Sequence, residues 1–155
     1  MNDIIYEMIA LTKKKLESLN IILSLKPRQK EAIQQENMED MESILVNIQS
    51  QIGKIDEIDS LYKLKFNELK AIIDVETISQ LDSMKYPNAK ILIDRLNEIK
   101  SVLASLKSLD DENNIIMNEK FEETKERLKN LRQGQKMAKG YFSDYNGTMF
   151  IDERN

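Results

Sequence analysis

From Met38 to Ile73 the apolar residues fall alternately three and four positions apart: Met38, Met41, Leu45, Ile48, Ile52, Ile55, Tyr62, Phe66, Leu69 and Ile73, with Asp59 alone breaking the row. A period averaging 3.5 over that length suits neither a strand nor a short globular helix. It is the seam of a long helix packed lengthwise at a shallow angle. Asn37 stands where an N-cap belongs, and Glu39 and Asp40 place negative charge at the positive end of the helix dipole.

The helix breakers agree with this reading. Before Gln133 the chain has only Pro27, Gly53 and Pro87, and the other glycines, Gly134, Gly140 and Gly147, lie near the end. Upstream, Ile5, Ile9, Leu16, Leu19, Leu23 and Ile33 share a helical face, with Thr12 in the same phase. Pro27 either kinks this helix or starts a second one, and a kink is the expectation. Downstream, Tyr86-Pro87 marks a new helix start, and that helix is expected to run from about Pro87 to about Ala138.

The last helix opens with Leu92, Leu96, Ile99, Leu103 and Leu106, then meets Asp110 and Asn113 in the same phase before Met117, Phe121, Leu128 and Leu131 resume it. The polar interruption reads first as a solvated patch, because buried polar groups need partners. A buried polar residue that sets register is the alternative. At ~1.5 Å per residue this helix is about 75 Å long against about 50 Å for the Met38 helix, so it should overhang. An overhanging apolar stripe is a candidate interaction site unless the first helix covers it. The expected fold is all-α: an elongated antiparallel bundle of about three long helices over 1–139, coiled-coil-like, with a flexible aromatic C-terminal tail over 140–155.

Several chemistries are excluded. The 155 residues contain no His and no Cys, which removes the His-based triads, Glu-x-x-His di-iron sites and thiol nucleophiles. The run Asp110-Asp111-Glu112-Asn113-Asn114 lacks the glycine and terminal glutamate spacing of a calcium loop and reads as a solvated face. No cofactor or metal is implied, and an enzyme is not expected. A net charge of -4 disfavours nucleic acid. The basic residues Lys125, Arg127, Lys129, Arg132, Lys136 and Lys139 instead complement a helix C-terminus among Glu122, Glu123 and Glu126. The absence of an N-terminal basic segment and of a long apolar run gives the cytoplasm as the expected location, without stable membrane insertion.

The tail carries Tyr141, Phe142, Tyr145 and Phe150, four of the nine aromatic residues. Large rigid side chains there suit a docking segment, and packing back onto the chain's own helices is the other use for them.

The entry Asn37-Met38-Glu39-Asp40-Met41, the helix Leu103-x-x-Leu106-x-x-Leu109 followed by Asn113 and Asn114, the exit Leu131-x-x-Gly134-x-x-x-Ala138-x-x-Tyr141 and the closing Phe150-Ile151-Asp152 together resemble the FlgN-type flagellar export chaperones. The resemblance covers nearly the whole chain, and its distinctive part is the ending from Gly134 to Asp152. It implies a cytoplasmic chaperone of type III secretion that binds hook-associated (hook-filament junction) proteins and delivers them to the cytoplasmic domain of the export gate. Carried over, it places client binding at Phe121, Leu128, Leu131 and Met137, and gate docking at Tyr141 with Phe142 and Tyr145 beside it. A coiled-coil scaffold or adaptor that self-associates as a homo-oligomer is the alternative.

Overall fold

A computed structural model of the chain describes residues 2–81 and 84–134. Three long helices account for most of them: α1, Asn2–Gln34; α2, Met38–Ile72; and α3, Asn88–Gly134. A short 3-10 helix, Ile78–Gln80, lies in the connection between α2 and α3. No strand occurs among the described residues. The chain divides into two compact units, Met1–Asn114 and Ile115–Asn155, so the dividing point falls inside α3. The expected boundary at 139/140 lies outside the described residues.

Within the first unit, ion pairs fix the directions of the helices. Glu7 pairs with Lys65 at 2.6 Å and Lys15 with Asp59 at 2.7 Å, so α2 descends as α1 rises. Lys26 pairs with Asp110 at 2.8 Å and Lys30 with Glu112 at 2.6 Å, so α3 rises alongside α1. Asp59, the one gap in the seam, is therefore the acceptor of a cross-helix ion pair at the edge of the α1–α2 contact.

The turn between α1 and α2 is tight because one residue serves both helices. Glu36 adopts a left-handed φ of 53°, its N–H donates to the Ile33 carbonyl, and the Asn37 N–H donates to the Ala32 carbonyl at 2.9 Å. This pattern closes the end of α1. Asn37 then accepts the Asp40 N–H on its Oδ1 at 3.1 Å, which caps α2 as its sequence position indicated.

α1 buries more of its circumference than a single seam would, because α2 and α3 flank it. Ile5, Leu16, Leu19 and Ile33 are buried as the pattern indicates, and so are Met8, Ile22 and Leu25. Thr12, 2% exposed, donates its hydroxyl to the Ile9 carbonyl at 2.7 Å, so its buried donor is satisfied. The helix runs unbroken through Pro27, which takes the kink-or-break question towards a single element.

On α2 only half of the seam is core. Ile48, Ile55 and Leu69 are buried with Tyr62 half-buried on the same heptad row, while Met38 and Ile52 from the alternate row are largely exposed. Ile44 is buried in their place. The correction is geometric: with α1 as its main close neighbour, α2 covers one row and leaves the other at the rim. In α3 the buried positions likewise recur every seventh residue, at Leu92, Ile99 and Leu106, and Leu103 is exposed. α3 starts at Asn88, so Pro87 precedes the helix instead of sitting in its first turn.

Two apolar clusters result. One joins Leu16, Leu19, Ile22 and Leu25 to Ile44, Ile48, Ile55, Ile99 and Leu106. The other, at the opposite end, joins Ile5 and Met8 to Leu69, Ala89 and Leu92, and Ile78 and Leu81 from the connection complete it. That plug is held by Gln80, whose Oε1 accepts the Glu76 N–H at 2.7 Å.

Tyr62 packs against this second cluster, and burial pushes its phenol from 10.0 up to about 12. The unfolded chain ionises at the ordinary value while the folded chain still holds the proton, so stability is complete below pH 10 and falls as pH rises from 10 towards 12. The ammonium of Lys65 is also raised, first by its hydrogen bond to Glu7, and acts in the same direction. Alkaline unfolding followed by circular dichroism should thus be shallower in Tyr62→Phe than in the parent. Identical profiles would mean that the phenol ionises freely in the folded state.

Candidate functional site

The stretch of α3 around Asn113 is where sequence and structure diverge most. Leu92, Ile99, Leu106 and Asn113 form one heptad row, and Asn113 is as buried as the apolar members, at 4% exposed. Its amide donates to the Lys26 carbonyl at 3.1 Å and to Gln29 Oε1 at 3.0 Å. Lys26 is itself buried, at 8%, and its ammonium reaches both Asp110 and, at 3.4 Å, the same Gln29 oxygen. The solvated-patch expectation is corrected at Asn113, where the register-setting alternative applies; Asp110, Asp111, Glu112 and Asn114 are exposed, and Asp110 and Glu112 pair with lysines of α1 from that exposed face. The Asn113 amide and the Lys26 ammonium both find acceptors, which is what makes a buried amide tolerable. The node fixes α3 against α1 along its axis, because sliding by a heptad would strand the amide among apolar side chains.

Within the second unit, α3 continues as regular helix from Ile115 to Gly134, about 30 Å at 1.5 Å per residue. Met117, Phe121, Thr124, Leu128 and Leu131 recur there at four, three, four and three positions, so they share one face. The members differ in exposure: Met117 and Phe121 are half-buried, Leu128 is 6% exposed and Leu131 is 50% exposed. Thr124 satisfies its hydroxyl on the Lys120 carbonyl at 2.9 Å, which keeps this face free of unpaired donors. Charges flank it, with Lys120 beside Glu123 at 3.5 Å and Lys125, Arg127 and Lys129 exposed.

Three of the four expected client-binding residues, Phe121, Leu128 and Leu131, thus fall on a common helical face. Met137 and the expected gate-docking residues Tyr141, Phe142 and Tyr145 lie outside the described residues. Such a face can engage an apolar helix lengthwise, and nothing on it is suited to bond-making chemistry. Among the described residues no group of acidic side chains is placed to hold a metal ion, and no helix is long and apolar enough to cross a membrane.

A family model described as FlgN protein matches residues 1–146, which takes in all three helices and the start of the C-terminal segment. No curated protein and no solved structure matches the chain.

Proposed function

Because this chain belongs to the FlgN family, a family of flagellar export chaperones and not of enzymes, we propose that it binds hook-associated proteins in the cytoplasm and delivers them to the export gate of the flagellar type III secretion system. The observation that carries the binding part is the face Met117, Phe121, Leu128 and Leu131 on a regular helical segment. Export clients of this kind are long chains with amphipathic terminal helices, and such a helix is masked by a matching apolar stripe. Leu131, half exposed at the C-terminal end of that stripe, is the contact a client meets first. Phe121 adds aromatic area, and the family resemblance adds Met137 as a further contact.

The delivery part rests on the family and on the aromatic composition of that segment. Tyr141, with Phe142 and Tyr145, offers rigid apolar area with a polar tip, the kind of side chain that concentrates binding energy at interfaces.

The purified chain and a hook-associated protein from the same genome should co-elute as a stoichiometric complex. Leu131→Asp should weaken that complex by about 2 kcal/mol or more, roughly 30-fold in Kd, while helicity by circular dichroism is kept. Undiminished binding by the variant would put the client elsewhere. A stable oligomer of the chain alone that ignores the client would favour the scaffold reading. Tyr141→Ala should spare the client complex and lose binding to the gate's cytoplasmic domain.

A further inference from the structure

A helix seam has two rows, and within the first unit α2 and α3 each bury one. The row left over is largely apolar all the same. On α2 it runs Met38, Leu45, Ile52 and Phe66, with Asp59 between them, and on α3 it runs Leu96 and Leu103 before Asp110. Phe66 and Leu96 both pack against the second cluster, so at that end the two rows border one surface. Further along the same rows Ile52 is 45% and Leu103 44% exposed. Their level along the bundle follows from α1. Ile52 stands seven residues before Asp59, the partner of Lys15, and Leu103 seven before Asp110, the partner of Lys26. Because α2 descends and α3 rises, Ile52 is level with Ile22 and Leu103 with Leu19, about 4.5 Å apart along the bundle at ~1.5 Å per residue.

Charge divides this surface into two unlike edges. Ile52 is flanked at i−3 and i+4 by Gln49 and Asp56, and Leu103 at the same offsets by Lys100 and Lys107, all four exposed. Asp56, Lys100 and Lys107 take part in none of the ion pairs formed among the described residues. The acidic edge thus lies on α2 and the basic edge on α3. Asp56 follows Ile52 on the descending helix and Lys100 precedes Leu103 on the rising one, so these opposite charges also share a level.

We propose that two copies of the chain associate through this surface, about a two-fold axis parallel to the bundle. Such an axis lays α2 of one copy on α3 of the other without changing level. Ile52 then meets the partner's Leu103, Asp56 meets the partner's Lys100 and Gln49 the partner's Lys107, and each contact occurs twice. A second copy is singled out as the occupant because the surface carries both halves of the match, acidic beside one apolar row and basic beside the other. All of these residues belong to the first compact unit, and none is on the face from Met117 to Leu131. The dimer therefore does not rest on the client reading.

Sedimentation equilibrium of the full-length chain over a concentration series tests this. The parent should form a reversible dimer. Ile52→Asp and Leu103→Asp should each weaken it by about 30-fold or more, since the symmetric contact buries each new carboxylate twice. Leu64→Asp, on a different exposed row of α2, should leave it unchanged. Asp56→Lys should weaken the dimer by about fivefold or more, and Lys100→Asp added to it should restore association. Both of these positions are exposed, so the charge swap decides the matter should Ile52→Asp or Leu103→Asp lower helicity by circular dichroism. A parent that stays monomeric at its highest soluble concentration would overturn the proposal and leave the surface to a helix of another protein. A dimer that survives Ile52→Asp and Leu103→Asp with helicity kept would overturn it too. So would an Asp56→Lys variant of undiminished association, or one that Lys100→Asp does not rescue. None of these readings involves a client, so failure of the dimer and failure of client binding are separately detectable.

Discussion

Leu69→Ala is expected to lower the unfolding free energy by about 2–5 kcal/mol, a large fraction of what a domain of this size commands. Leu69 has no exposed surface, and it touches the cluster in which Ile5 and Met8 of α1, Leu92 of α3 and Ile78 of the connection meet. The cavity left by truncation cannot close by a movement of one helix, because four segments hold its walls. Urea unfolding should show a lower midpoint with an unchanged slope. The control is Leu64→Ala, five positions earlier and 60% exposed, which should stay within about 0.5 kcal/mol of the parent. Equal midpoints for Leu69→Ala and Leu64→Ala would contradict the packing at this end of the bundle.

The second large effect concerns the amide in the heptad row. Asn113→Ala removes the donor to the Lys26 carbonyl and to Gln29 and opens a small cavity, and should cost about 1–3 kcal/mol. Asn113→Leu separates stability from specificity. It completes an apolar row with Leu92, Ile99 and Leu106, so it should be more stable than Asn113→Ala by about 1 kcal/mol or more, as expected when a buried polar residue is exchanged for an apolar one of similar volume. With the amide gone, a slide of α3 along α1 by one heptad, about 10 Å, no longer strands an amide in the apolar row. The absence of native cysteine allows a spin label on each of α1 and α3. One narrow distance in the parent should become a broad or split distribution in Asn113→Leu. An unchanged distribution would assign the register to the ion pairs Lys26–Asp110 and Lys30–Glu112 instead.

How far the sequence could be read depended on what each feature needs. The α2 start was legible because a cap is local: Asn37, Glu39 and Asp40 act on backbone groups within one turn. The interior of α2 was legible only as a seam. Which of its two rows is core required knowing that α1 presses on Ile48, Ile55 and Leu69 and leaves Ile52 at the rim. The plug formed by Ile78 and Leu81 carried no periodic signal, since two apolar residues in an irregular connection look like any loop until the cluster they close is seen. On the candidate site, Phe121, Leu128 and Leu131 were legible as a stripe, but their unequal exposure was not, because burial is set by what lies across the helix and not by the helix itself.

Taken alone, the sequence determined that this protein is built from long helices, where α2 begins, and that His- and Cys-based chemistry has no place in it. Period, capping and composition act through a few covalent neighbours, so they survive in a one-dimensional reading. Only the tertiary structure decided what Asp110, Glu112 and Asn113 are for. Polar residues in a helical seam are equally consistent with solvent and with a partner, and the partner, Lys26 with Gln29, stands more than eighty positions away. The same dependence on distant atoms makes the seam from Met38 to Ile73 certain as a helix and ambiguous as a core.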